Sequence, residues 1–518
     1  MKQKGKVDYM SIELTRAETG ITENLYDNFA EQGIDCDIAL PDYCPDIMRI
    51  LRCSVTNSIT NSKISGDRAT VDGNAKIRII YADEKNGIYC YEQDYPFSKY
   101  AELPSSFEGA MLCPSVKTEY ANCRAVSKKR IDIHGVISIR FRILGIKKDS
   151  VITGAEGDGI QLRKNEICTD NAVAAVFKKF QLAQTEETDS GDIGKILFAS
   201  ASPVLSETKT IKGKILLKGE TVVKVIYCAE GGDNNCVCAS YNLPFNEIVE
   251  AESVTDECKI CVSFTVDQIQ AEPKTDNDGE YKYLNIVCDI SALVTAYMPD
   301  KMSVITDAYS TEKEIDAKYK TTGFTQMIQN IGDSFVCRES VDLSSMAPKK
   351  IYCVMAEQPE AKCSFDGDKM TVCGRIPLKF ILIDGEGTPT FCEREAEFEY
   401  SRSVDSRQGS LQCDPQLFLT GYGCSLTGDG KAEFKAEINI SAAVTQTDEY
   451  RTLVSLKTAE NSELKKRHSS LVICFCNGGE KVWDIARKYN TTVEEIMSEN
   501  DLASDEISEK MMLMIPVK

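Results

Sequence analysis

The chain has 518 residues, more than one hydrophobic core supports at roughly 100 to 200 residues per domain, so several domains are expected. Hydrophobic content of 42% and charged content of 27% exclude a disordered or fibrous chain. Eighty acidic against 60 basic residues leave a formal charge of −20, which repels phosphate backbones and anionic lipid, so neither nucleic acid nor a membrane surface is expected as a partner.

From the N-terminus, Met1 to Tyr26 alternates polar and apolar residues without a secretory apolar core. No stretch approaches the ~20 apolar residues that span a bilayer. A cytosolic protein without membrane insertion is the expectation. Leu40-Pro-Asp-Tyr-Cys-Pro-Asp-Ile47 follows, with two Pro-Asp dipeptides that fix turn or extended backbone. It reads as a turn that closes a domain, or as an edge that a partner strand could join.

The next segments repeat. Ile77-Arg-Ile-Ile-Tyr81 recurs as Val223-Lys-Val-Ile-Tyr227 and Leu378-Lys-Phe-Ile-Leu382, each preceded at one spacing by a glycine, Gly73, Gly219 and Gly374. Ile50-Leu51, Ile196-Leu197 and Ile351-Tyr352 lie upstream at a constant spacing, and Phe97, Phe245 and Phe398 follow in the next strand. Each copy closes on an Ile-Ser strand: Val136-Ile-Ser138, Asp289-Ile-Ser291 and Asn439-Ile-Ser441. Apolar residues alternate with polar ones, and glycines mark hairpins at Gly87, Gly231-Gly232 and Gly385 to Gly387. The expected class is mainly β: three tandem antiparallel β-sandwich or barrel-like domains over 10–150, 158–306 and 313–450, then a charged linker at 451–469.

Beyond the linker the period changes. Leu471 to Cys476 predicts a strand, and Val482, Ile485, Ala486 and Tyr489 form the apolar stripe of a helix that Asn490 can end. Thr492 and Glu495 form a capping box for a second helix, and Met512 to Ile515 before Pro516 predicts a closing strand. The last module, 470–517, is thus β-α-α-β.

Twenty-two cysteines make up about four per cent of the chain, below the ~8–10% of disulfide scaffolds, and most are spread one to a strand as expected of reduced core thiols. Cys258-Lys-Ile-Cys261 has no second CxxC to complete a zinc site, and Cys236-Val-Cys238 and Cys474-Phe-Cys476, lying on strands, are expected to send their sulfurs to opposite faces. No metal and no cofactor is expected. The two histidines, His134 on a strand and His468 in the linker, suggest no nucleophile–base set, and no phosphate-loop glycine pattern occurs, so the chain reads as non-enzymatic.

The C-terminal module resembles the LysM domain through Gly479-Glu-Lys-Val-Trp483, Ile485-Ala-Arg-Lys-Tyr489, Val493-Glu-Glu-Ile496, Asn500-Asp-Leu502 and Leu513-Met-Ile-Pro516. Glu480 and Lys481 replace the family's customary Asp-Thr, and Glu509-Lys510 its Pro-Gly-Gln turn. Three β-domains followed by one such module resemble the SipL-type spore-coat morphogenetic proteins built from SPOCS domains, and more loosely the SpoVID type. The resemblance implies a protein of the mother-cell cytoplasm that gathers at the outer forespore surface. There its LysM domain would bind the basement-layer ATPase SpoIVA, with other coat proteins on the β-domains. Peptidoglycan or N-acetylglucosamine is the alternative ligand. The loops that converge in LysM folds nominate Gly479, Glu480, Lys481, Val482 and Trp483, with Glu499, Asn500, Asp501 and Leu502, as contact residues. Trp483, the only tryptophan, also suits the module's core.

Overall fold

The computed structural model describes residues 12–107, 109–157, 159–188, 193–229, 236–276, 278–405, 409–463 and 471–516, the side chains of 459–463 excepted. Six strands form the first unit: β1 (Glu13–Ala39), β2 (Arg49–Ser65), β3 (Arg68–Ala82), β4 (Ile88–Glu102), β5 (Met111–Ser127) and β6 (Arg130–Glu156). They make two antiparallel sheets, β1-β6-β5 and β2-β3-β4, packed face to face. The second unit repeats the plan with β7 (Ile160–Glu187), β8 (Ile193–Ile211), β9 (Lys214–Ala229), β10 (Cys236–Glu250), β11 (Lys259–Lys274) and β12 (Tyr283–Ser310), in sheets β7-β12-β11 and β8-β9-β10.

The third unit comprises β13 (Lys313–Asp342), β14 (Pro348–Ala356), β15 (Glu360–Asp366), β16 (Lys369–Asp384), β17 (Pro389–Ser403), β18 (Ser410–Cys413), β19 (Gln416–Leu426) and β20 (Lys431–Glu463). Two of its edge strands are broken, β14 from β15 and β18 from β19, both alongside an unbroken centre strand. Pro359 and Pro415, which lack an N–H for a ladder, sit at the breaks.

The structure supplies a reason for the glycine and phenylalanine of each repeat. Gly73, Gly219 and Gly374 pair directly across the sheet with Phe97, Phe245 and Phe398. The tip of each ring covers its glycine, and a Cβ there would come within 2.3, 2.6 and 2.5 Å of the ring's Cζ atom. A backbone carbonyl stands as close: Ser58 O at 2.4 Å, Val204 O at 2.2 Å and Glu360 O at 2.4 Å. No larger residue fits between an aromatic lid and a neighbouring backbone.

Consecutive in sequence, the units are joined around a common centre. Leu51, Leu197 and Tyr352, equivalent in the repeat, meet in one buried cluster with Ile80, Ile226 and Ile381, again equivalent. The basic residue of each repeat motif reaches across a seam or braces it. Arg78 donates to Leu197 O at 3.3 Å, and Lys224 donates to Tyr422 O with its ammonium 3.3 Å from the centre of the Tyr422 ring. Lys379 holds Glu357 at 2.7 Å, and Glu357 also accepts from Arg52 of the first unit at 3.0 Å. Burial at its seam pulls the Lys224 pKa down.

The six longest strands, 27 to 33 residues and so about 90 to 110 Å at ~3.3 Å per residue, outrun the sandwiches. Their outer halves form three two-stranded ribbons whose apolar faces meet, Ile152 and Ala155 against Ile305, Ala308, Leu453 and Leu456. This corrects the charged linker expected at 451–469. Strand β20 continues to Glu463, pairing with β13, because Leu453 and Leu456 bury on the neighbouring ribbons; 464–470 lie outside the described residues. The Gly231-Gly232 turn also lies outside them. The Pro-Asp segment is a closing turn: Cys44 N donates to Pro41 O at 3.0 Å, and Leu40 N and Ile47 N donate to Lys129 O and Lys128 O at 2.8 Å each.

Candidate partner-binding site on the C-terminal module

The module is built from β21 (Leu471–Cys476), α1 (Val482–Tyr489), α2 (Val493–Glu499) and β22 (Met511–Pro516). Val482, Ile485 and Ala486 turn the buried stripe of α1 inward, and Asn490 ends the helix at φ 54°. Thr492 Oγ1 accepts from Glu495 N at 3.1 Å while Glu495 accepts from Thr492 N at 3.3 Å, the reciprocal box that starts α2.

Backbone hydrogen bonds tie the first loop to the far half of the loop that joins α2 to β22. Gly479 N donates to Ile507 O at 2.7 Å, Ile507 N to Glu480 O at 2.9 Å, and Val482 N to Asp505 O at 2.7 Å, so the backbones of Lys481 and Glu506 pair as a short antiparallel bridge. The first loop is therefore tied to Asp505–Ile507, residues that the sequence reading missed because they carry no family-typical motif. Gly479 adopts φ 88°, a left-handed conformation suited to glycine.

Asn500 is structural: its amide donates to Met514 O at 2.7 Å and its oxygen accepts from Met514 N at 2.7 Å, so the side chain acts as a short strand beside β22. Leu502 packs on the core, and Val482 is fully buried. Glu480, Lys481, Glu499 and Asp501 remain exposed, and with Asp505, Glu506 and Glu509 they make a mainly acidic rim.

Trp483 is 7% exposed and points at the ribbon tip. Its Nε1–H donates to Asp307 Oδ2 at 2.9 Å, its ring meets Tyr309 edge-on at 4.9 Å, and Arg487 donates to the same Asp307 oxygen at 2.8 Å. Tyr309 donates to Thr491 O at 2.7 Å, and Tyr319 donates to the other Asp307 oxygen at 3.1 Å. Burial pushes the Tyr309 phenol well above its ordinary range. Asp307 and Tyr309 are far from the module in sequence, and no local pattern marks them.

The outer face of the sheet is apolar. Leu471, Ile473 and Phe475 on β21 stand opposite Pro516, Met514 and Met512 on β22. Phe475 is 74% exposed, Ile473 57% and Met512 54%. The signal was in the sequence: Leu471 to Cys476 is apolar at every position, whereas an outer strand with one solvated face should alternate.

The two sulfurs of Cys474 and Cys476 lie 3.7 Å apart, not on opposite faces, because residues two apart on a strand share a face. Burial pushes the Cys476 thiol up to about 12. Among the described residues no group of three or more His, Cys, Asp or Glu could hold a metal ion, and no helix is long and apolar enough to cross a membrane. His134 stands on the surface between Asp35 at 2.7 Å and Asp132 at 3.2 Å; His468 lies outside the described residues.

Comparison with family models matches the SipL, SPOCS domain at 46–126 and 192–274 and the LysM domain at 479–516. None of the curated proteins or solved structures compared with the chain matches it. The two SPOCS matches fall on corresponding parts of the first and second units, β2 to β5 and β8 to β11. The chain thus carries SipL-type SPOCS domains and a C-terminal LysM domain, the domain content of a coat-associated sporulation protein with a peptidoglycan-type module.

Proposed function

We propose that the chain is a non-enzymatic assembly adaptor that works from the mother-cell cytoplasm at the outer forespore surface, its LysM module docking on the coat basement-layer ATPase SpoIVA. The observation that carries this reading is the exposed apolar sheet face of Leu471, Ile473, Phe475, Met512 and Met514. Burying such a face gives roughly 25 cal/mol per Å², a driving force suited to a protein surface and not to a polar sugar chain. The β-units, joined as one body, then present further faces to other coat proteins and add avidity on a crowded shell.

The second reading, a peptidoglycan or N-acetylglucosamine anchor, is favoured by the LysM match and by the exposed Glu480, Lys481, Glu499 and Asp501 rim. Trp483 is less available to a sugar, since its indole N–H is engaged by Asp307. The full chain, with Phe475→Glu beside it, would be assayed on immobilised SpoIVA and on purified peptidoglycan. Retention on SpoIVA that Phe475→Glu removes is expected. Retention on glycan alone, indifferent to Phe475→Glu, would refute the adaptor.

A further inference from the structure

The two sheets of each unit are joined by backbone ladders only within themselves, so the seam between β2 and β5 in the first unit is held by side chains. Asn57 donates to Thr118 Oγ1 at 2.9 Å, and Thr118 donates to Val55 O at 3.1 Å. Farther along that seam Cys53 of β2 and Cys123 of β5 approach each other, both half-buried and packed against the same core. The corresponding seam of the third unit, where β15 approaches β18, brings Cys363 and Cys413 together. Both line one open surface cleft of about 580 Å³ with Phe365, Leu411 and Asp414, and both pack on one core. In each unit the pair bridges the two sheets where no ladder does.

We propose that Cys53–Cys123 and Cys363–Cys413 are sites of reversible disulfide formation with a low-molecular-weight disulfide such as oxidised glutathione, and that the bonds staple the two sheets of the first and third units. One thiolate attacks a sulfur of the oxidant, forming a mixed disulfide and releasing one glutathione thiolate. The partner thiol loses its proton and displaces the second. The balance is one protein dithiol plus one oxidised glutathione giving one protein disulfide plus two reduced glutathiones.

In the first pair interaction with Cys123, and then burial, hold the Cys53 thiol high, and the two thiols titrate together as one unit. In the second pair burial pushes Cys413 up to about 12, and the hydrogen bond from Cys413 partly offsets the burial that raises Cys363. A third close pair, Cys236 and Cys353, sits in the central cluster between the second and third units, with Cys353 only 6% exposed, and serves as the buried reference.

The test uses the full chain, reduced, freed of reductant, exposed to oxidised glutathione under native conditions, quenched by alkylation and mapped by peptide mass without reduction. Crosslinked peptides joining Cys53 to Cys123 and Cys363 to Cys413 are expected, with Cys236 and Cys353 recovered as alkylated thiols. The oxidised chain should unfold at higher urea than the reduced chain, and the gain should vanish in the Cys53→Ser, Cys363→Ser double variant. Recovery of the four seam cysteines as free thiols or as separate glutathione adducts would overturn the proposal. So would oxidation of Cys236–Cys353 at the same rate, because the reaction would then report unfolding and not native proximity.

Discussion

Asp307→Ala should release the C-terminal module from the ribbon tip. The carboxylate is nearly buried, its side chain 10% exposed, and it accepts from Trp483, Arg487 and Tyr319. A hydrogen bond to a charged acceptor contributes roughly 1.5 to 3 kcal/mol, and an indole N–H left buried without a partner costs about 1 to 3 kcal/mol. The Arg487 pair counts for less, since that side chain is 49% exposed and solvent screens it. The edge-on contact of Trp483 with Tyr309 adds ~1 kcal/mol that is lost once the module lifts away. A net penalty of about 3 kcal/mol shifts the ratio of docked to released module by roughly two decades, at ~1.4 kcal/mol per decade. Trp483 is the only tryptophan, so the emission has no background from the β-units. Red-shifted emission and a larger acrylamide quenching constant are expected in Asp307→Ala, while the urea midpoint of the far-ultraviolet β signal stays near that of the parent. Asp307→Asn, which keeps an acceptor for the indole but not the charge, should fall between. Unchanged emission and quenching in Asp307→Ala would refute the account of Asp307 as the latch.

Gly219→Ala places a methyl 2.2 Å from Val204 O and 2.6 Å from the Phe245 ring, so overpacking of about 1 to 3 kcal/mol is expected and would be read as a lower urea midpoint. Gly385→Ala, where nothing lies within 4 Å, should leave the midpoint unchanged. Thr492→Ala removes the oxygen that caps α2 and should cost ~1 kcal/mol in module stability, measured by the thermal midpoint of Trp483 emission. Hydrogen bonds to Asp35 and then to Asp132 raise the His134 pKa above its ordinary 6.5. Protonation therefore favours the folded state: this contribution is complete below 6.5 and disappears as pH rises through the raised value. The urea midpoint of the parent should converge on that of His134→Gln across that window, and parallel curves would refute the assignment.

Much of the fold was legible because its constraints are local or recur at fixed spacing. The constant distance from Gly73 to Phe97, mirrored in the other copies with small changes, encodes one cross-strand contact, and the Thr492–Glu495 box encodes one helix start. Burial of Leu453 and Leu456 was not legible: their partners Ile152 and Ile305 lie more than a hundred residues away, so a charged stretch with few apolar residues read as a linker. For the same reason Asp307 and Tyr309 were missed while Trp483 was found. The site was half legible. Exposed Glu480, Lys481, Glu499 and Asp501 stand where the motif put them, but Asn500 proved to be bonded into β22, and the apolar face of β21 went unread although its departure from alternation was visible.

The repeat also bears on how the β-units can act. Leu51, Leu197 and Tyr352 occupy one position of the repeat and one buried cluster, so each unit covers apolar surface that the other two would otherwise expose. Phe418 of the third unit even completes the core of the second, and Gln416 exchanges two hydrogen bonds with the backbone of Phe264 at 2.8 and 3.1 Å. A fragment holding one SPOCS segment therefore carries an uncovered apolar face, and its association with another protein would report that face and not a native site. Partner contacts of the β-units are to be sought on the assembled body, where Leu51, Ile80 and their equivalents are already covered, and the LysM sheet supplies the largest cluster of exposed apolar side chains among the described residues.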